Sequence, residues 1–212
     1  MANTITIYPD RDQFTSQVSN SGWSAVRDAT GGLEFPSSSS SATAIRATFT
    51  AARPSAIYSV ARVGILFDVS SITVKPKAST LSVKGITNGA CEVACVKGTI
   101  TPSGMGFPGV DGWVNGADND GNATHYASVD TSWSTSGYNQ FLLNETALND
   151  IAGSTTLSIT LIDYQHDLKN VSPSAISSPQ SGVIFSEYTG TSSDPNLKIQ
   201  TSDDAIFFGT NF

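Results

Sequence analysis

His125 and His166 are the only histidines in the chain, and they are the first places to look for acid–base or nucleophilic chemistry. Ser-His-Asp catalysis needs an imidazole held between a nucleophile and a carboxylate. His166 directly precedes Asp167, but neighbours on an extended strand point to opposite faces, so the pair does not read as a dyad. The two carboxylates of a glycoside hydrolase meet in space, and sequence spacing alone does not reveal them. Burial in apolar surroundings would raise a carboxyl pKa, and only Glu92 and Glu187 sit in such a context. Glu92 belongs to an alternating segment and reads as its solvent side. No residue is assigned to catalysis, and the expectation is a protein that is not an enzyme.

The sharpest local pattern is Asp118-Asn-Asp-Gly-Asn122. Asp118, Asp120 and Asn122 place oxygens at alternate positions of a glycine-containing loop, an arrangement that can wrap a hard cation such as Ca²⁺. The full EF-hand pattern fails: Ala123 stands where glycine is required, and no acid follows at the bidentate position. Asn-Asp-Gly sequences also form ordinary polar turns. No cofactor is required, and calcium is the one the sequence could hold. Trp113 lies in the same irregular segment with Tyr126 just beyond it. Exposed aromatics stack on flat partners, sugar rings among them; the alternative is that Trp113 pins the loop to the edge of the fold. Cys91 and Cys95 lie four apart on one alternating segment. At strand rise that is roughly 13 Å, while a disulfide needs Cα atoms within about 7 Å. Two reduced, buried thiols are expected.

These residues need a framework, and composition suggests which kind. The chain has 212 residues, of which 39% are hydrophobic and only 14% charged. The polar remainder of Ser, Thr, Asn and Gly suits strands and turns rather than long helices. A net charge of −7 and the absence of any Lys/Arg cluster argue against nucleic acid as a partner. No apolar run reaches the roughly 18 residues that a membrane helix needs, so membrane insertion is not expected.

Along the chain, strands are predicted at Thr4–Tyr8, Trp23–Asp28, Ala44–Thr50, Ile57–Asp68, Ser79–Lys84, Ala90–Lys97, Thr124–Val129, Tyr138–Leu143, Thr155–Asp163, Val183–Tyr188 and Leu197–Gln200. Ile57–Asp68 carries the strongest signal. Ile57, Ala61, Val63, Ile65 and Phe67 share one face, and Tyr58, Val60 and Leu66 the other, which describes a strand covered on both sides. Gly64 within it allows a close approach or a bulge. Ser37–Ser41 reads as a loop, and Thr101–Asn122 as the longest irregular segment. One helix is predicted from Asn144 to about Ala152: Asn144 can cap it, Glu145 suits its positive end, and Gly153 can close it. Many strands of similar length with one short connecting helix indicate a single all-β domain over residues 1–212, a sandwich or barrel.

Several segments resemble a known family. Ile65-Leu-Phe-Asp-Val-Ser-Ser-Ile72 is similar to the F-D-L-S-S-I-P strand and turn of the disaggregatase-related, DNRLRE-type β-sandwich family, and Ala78-Ser-Thr-Leu-Ser-Val83 stands where its next strand falls. Thr73-Val-Lys-Pro-Lys77 departs from the family's turn. Ser132-Trp-Ser-Thr-Ser-Gly-Tyr-Asn-Gln-Phe141, Gln165-His-Asp-Leu-Lys-Asn170 and Tyr188-Thr-Gly-Thr-Ser-Ser-Asp-Pro-Asn-Leu197 resemble segments of a phage and metagenomic branch. The resemblance covers about residues 57–200. It implies a jelly-roll β-sandwich, a loop position for His166, a core position for Trp133, and a structural salt bridge for Glu187.

Two functions are expected from this reading. The first is a non-enzymatic bacteriophage virion structural protein: a capsid decoration, head-fibre or tail-appendage component. Its partners would be other virion proteins, a second copy of itself in a homo-oligomer, or a host-surface glycan. The Met-Ala-Asn-Thr-Ile-Thr-Ile start lacks the basic and apolar regions of a secretory signal, and virion proteins leave by lysis. The alternative is a carbohydrate-binding module at the cell surface or in the extracellular space. Residues 201–212 run past the last matched strand and carry Ile206, Phe207, Phe208 and Phe212. Four large apolar side chains are expected to fold back or to enter a partner in assembly.

Overall fold

The computed structural model describes residues 3–35, 41–88, 91–176, 178–186 and 191–201. Among these, eleven strands form: β1 Thr4–Ile7, β2 Arg11–Ser19, β3 Leu33–Phe35, β4 Ser41–Thr50, β5 Ile57–Asp68, β6 Ala78–Asn88, β7 Val93–Lys97, β8 Tyr138–Leu142, β9 Thr156–Asp163, β10 Gln180–Ile184 and β11 Asn196–Gln200. Two α-helices accompany them, α1 Trp23–Arg27 and α2 Glu145–Gly153, with a π-helical turn at Tyr164–Leu168. Every named strand pair is antiparallel. The chain is therefore all-β, as its composition indicates, and the jelly-roll expectation is met at the level of the sandwich.

Alternation divides the strands into two packed sheets. In one, β8 pairs with β6, β6 with β11, and β11 with β1. In the other, β5 pairs along one edge with β2 and along the other with β4 and then β9, while β7 joins β9 and β3 joins β2. β10 and the far half of β6 link the two sheets. Leu81, Val83, Phe141, Leu197 and Ile199 from the first sheet meet Ala61, Val63, Ile65, Phe67, Leu157, Ile159 and Leu161 from the second in one core.

The second sheet is covered on its far side as well. Val60 packs with Val26 and Phe107, Leu66 packs with Ile100 and Met105, and Ala94, Val96 and Ile162 pack with Val110, Ala123 and Leu168. The cover consists of α1, the long segment 98–124 and the π-helical turn. Gly64 shows how closely it lies: a Cβ there would sit 2.5 Å from Met105 Sδ. We call this sheet the covered sheet, and the one formed by β8, β6, β11 and β1 the open sheet.

Three local expectations are corrected. Trp23–Arg27 is a helix rather than a strand. Val26 and Arg27 are both fully buried although adjacent, which a helix turned against the sheet permits and a half-buried strand does not. Residues 124–130 form no strand; their backbone pairs with β7 only through the isolated bridges Val96–His125 and Val93–Asp130. β2 was not expected because Arg11–Ser19 has no apolar alternation. Its buried residues include Asp12, Gln13, Thr15 and Ser16, with Asp12 accepting from the Ser186 N–H and hydroxyl at 2.8 Å each. Elsewhere β5 has the expected bounds, and Asn144 caps α2 by accepting from the Ala147 N–H. The serine run through residue 40, Glu187, Tyr188 and the C-terminal Ile206, Phe207, Phe208 and Phe212 lie outside the described residues.

Candidate binding site

The residues with the most chemical potential are gathered under the cover. Arg62 points from β5 to the covered side, between Val60 and Gly64. Its Nε and Nη2 each donate to the Asp167 carboxylate at 2.7 Å, a two-pronged pair with both side chains fully buried. Its remaining donors reach the Pro108 carbonyl at 2.8 Å and the Arg27 carbonyl at 3.0 Å. Arg27 donates to the carbonyls of Asp167, Ala117 and Leu168 and to the Asp28 carboxylate. Burial lowers the Arg27 pKa, against the opposing charges of Asp167 and Asp28. Buried charges persist only where they are paired and hydrogen-bonded, and both arginines meet that condition here.

Trp113 closes this lock. Its ring lies 4.3 Å from the Arg27 guanidinium carbon and 4.1 Å from that of Arg62, and Phe107 flanks Arg62 at 4.2 Å. Trp113 is thus stacked on two buried cations and pins the long segment to the sheet. Tyr126 is also committed: its ring is 1% exposed, leaving no face for a sugar, and its hydroxyl donates to Asp150 at 2.5 Å. Trp133 is buried in the main core.

The candidate calcium residues form a self-contained turn. Asp118 Oδ1 accepts from the Asp120 N–H at 2.9 Å, and Asn122 Nδ2 donates to the Asp118 carbonyl at 3.2 Å. Asp120 accepts from the Tyr164 hydroxyl at 3.1 Å and lies 3.0 Å from His125 Nε2. Fully buried Asn119 organises the turn, accepting from the Val114 N–H and donating to the Val114 carbonyl. Among the described residues no three of His, Cys, Asp and Glu are grouped to hold a metal.

His166 lies in the π-helical turn, with Nδ1 2.6 Å from the Val171 carbonyl and its N–H donating to Asp163. Both cysteines are free and buried. Cys91 Sγ donates to Asp163 Oδ2 at 3.1 Å. Burial and the neighbouring Asp163 charge push the Cys91 thiol well up, and burial alone pushes up Cys95. Thiols held protonated are poor nucleophiles.

The open sheet presents the opposite kind of surface. Along β8, Asn139 and Phe141 point inward, while Tyr138, Gln140 and Leu142 face out. A cleft of about 540 Å³ separates this row from the segment Ser128–Ser134. A second, of about 440 Å³, runs on to Asp120, His125, Asn144 and Tyr164, sharing Ser128, Val129 and Leu142 with the first. A third, smaller hollow shares Gln140 and reaches Thr4, Lys198 and Gln200. Ser134 is held in place by Asn139, which accepts from its N–H at 2.6 Å and donates to its carbonyl at 3.0 Å. Gly85 makes room for this wall: a Cβ there would lie 2.2 Å from the Ser134 carbonyl oxygen. Sequence reasoning flagged neither this surface nor Arg27 and Arg62, and it weighed Asp167 only as the neighbour of His166. A lone arginine inside the apolar run of β5 was the available signal for the lock.

The described residues contain no helix long and apolar enough to cross a membrane. Neither protein-family models nor characterised protein sequences match the chain.

Proposed function

We propose that the protein is a non-enzymatic structural component of a bacteriophage virion, a capsid decoration, head-fibre or tail-appendage subunit, that acts through its surface. The observation that carries this reading is how the reactive side chains are used. Arg27, Arg62, Asp167, Asp163 and Cys91 are buried and paired with one another or with backbone. The clefts of the open sheet are lined mainly by hydroxyl and amide groups, with Asp130 and Lys198 among the lining residues. The resemblance of three segments between residues 132 and 197 to a phage and metagenomic branch of β-sandwich proteins supports the same reading, with other virion proteins or further copies of the chain as partners. Mass spectrometry of particles purified from a lysate of the source organism tests it. The protein is expected among the stoichiometric virion proteins; its absence from particles and presence in the particle-free supernatant would overturn the proposal.

A second reading, a carbohydrate-binding module of an extracellular or cell-surface protein, is favoured by the continuous cleft along β8. Neighbouring genes discriminate the two: a portal and major capsid protein on one side, a polysaccharide-acting enzyme on the other.

A further inference from the structure

We infer that the cleft along the outward row of β8 binds a linear, uncharged oligosaccharide. This inference rests on the carbohydrate-binding reading above, whose ligand class it names, and is independent of whether the protein is a virion component.

The shape comes first. Tyr138, Gln140 and Leu142 alternate outward on one strand, so the row from Tyr138 to Leu142 is about 13 Å long at strand rise. The two clefts meet at Leu142 and continue to Tyr164. The result is an open trough rather than a closed pocket, which suits a chain-like ligand longer than one ring.

Charge then narrows the class. Neither cleft is lined by a lysine or an arginine, while Asp130 lines one and Asp120 the other. A polyanion would meet carboxylates with no lysine or arginine beside them in either cleft, which disfavours nucleic acids, sulfated glycans and sialylated glycans. Hydroxyl and amide groups can both donate and accept, and Ser128, Thr131, Ser132 and Gln140 supply them along the trough. Sugar hydroxyls have the same dual character. A pyranose also carries an apolar C–H face, for which an aliphatic or aromatic surface is the natural partner. Leu142 is 68% exposed. An exposed leucine alone is unremarkable, but this one lies at the junction of the two clefts beside Val129, with tyrosines at either end.

The competing occupant is a peptide strand added to the edge of β8, whose named pairing is to β6. The outward row argues for sugar because its side chains line the trough itself, whereas an added strand would rely on backbone groups.

The test is binding of the full-length protein to neutral tetra- to hexasaccharides of glucose, galactose and mannose, with a sulfated oligosaccharide as control, followed by calorimetry and by hydrogen exchange of β8. At least one neutral oligosaccharide is expected to bind saturably and the sulfated control not at all. Gln140→Ala should weaken binding about tenfold, the loss of roughly one well-placed hydrogen bond. Leu142→Asp should abolish it, and Thr6→Ala, elsewhere on the same sheet, should leave it unchanged. Both cleft positions are exposed, and circular dichroism and the urea midpoint establish that the variants fold. Absence of binding by every neutral sugar at millimolar concentration would overturn the inference, as would binding that survives Leu142→Asp. Protection of β8 amides that grows with protein concentration but not with sugar would identify a peptide strand instead. Failure here with the protein still found in particles removes the glycan and leaves the virion reading standing; sugar binding by a protein absent from particles does the reverse.

Discussion

The two faces of the sandwich use polar residues in opposite ways. On the covered sheet, Arg62 and Asp167 form a fully buried pair, Arg27 is spent on backbone carbonyls and Asp28, and Trp113 lies over both guanidiniums. On the open sheet, uncharged side chains such as Thr4, Thr6 and Gln140 remain accessible. The charged residues that a search for chemistry would single out are mostly structural here, holding a long irregular segment onto a sheet. The outward row of β8 that is free to meet a partner is built from residue types that carry no reactive signature. Chemical potential in a sequence is therefore a poor guide to function until burial is known.

The largest effect is expected from breaking the lock. Asp167→Ala leaves the buried Arg62 guanidinium without its carboxylate, beside a second buried arginine, and should cost about 3–5 kcal/mol, the range for breaking a buried pair, read by urea unfolding. A loss under about 1 kcal/mol would mean that water enters and replaces the carboxylate, and the lock would not be what holds the cover.

Gly85→Ala sharpens the boundary between the faces. Its Cβ would collide with the Ser134 carbonyl, Trp133 Nε1 and Asn139 Nδ2, so backbone must move. A cost of about 2–3 kcal/mol is expected, at the upper end for overpacking. Gly64→Ala should cost less, because the nearest atom belongs to the flexible Met105 side chain. The same pair of variants should differ on the open face: Gly85→Ala displaces the cleft wall and Gly64→Ala does not.

The thiols give a pH prediction. Burial raises both in the folded state. Their contribution is therefore complete below the unfolded thiol value of about 8.5 and is lost as pH rises from there toward the folded values. The loss amounts to at most about 1.4 kcal/mol per pH unit for each thiol. Urea midpoints at successive pH values between 8 and 10 should fall, and Cys95→Ala should flatten the fall. An unchanged slope would mean that Cys95 is reached by solvent.

The smallest effect is expected at the Asp118–Asn122 turn. Asp118 Oδ1 and the Asp118 carbonyl accept hydrogen bonds within the turn and Asp120 accepts one from Tyr164, so calcium or a chelator should leave the melting temperature unchanged within about a degree. A shift of several degrees on adding calcium would make the turn a cation site.

Local periodicity made much of the framework legible. Ile57–Asp68 announces a strand with two apolar faces, and it is buried on both. Asn144, Glu145 and Gly153 frame a helix that forms where expected. The cysteines are free and buried as their spacing implies. What escaped was long-range or inverted. Arg62 and Asp167 lie 105 residues apart, and no local pattern pairs them. β2 buries polar residues where strand reading looks for apolar ones. The five residues of α1 are too few to show a helical period. The cleft along β8 depends on how the Ser128–Ser134 segment sits relative to the strand, which only folding decides.

The division between the faces is tested most directly by urea unfolding of two variants side by side, Arg62→Ala on the covered sheet and the double variant Gln140→Ala/Leu142→Asp on the open sheet. Arg62→Ala should lose about 3–5 kcal/mol, the cost of stranding a buried Asp167. The double variant should stay within about 1 kcal/mol of the parent, as surface substitutions do. Comparable losses from both, or a larger loss from the open-sheet variant, would contradict the account.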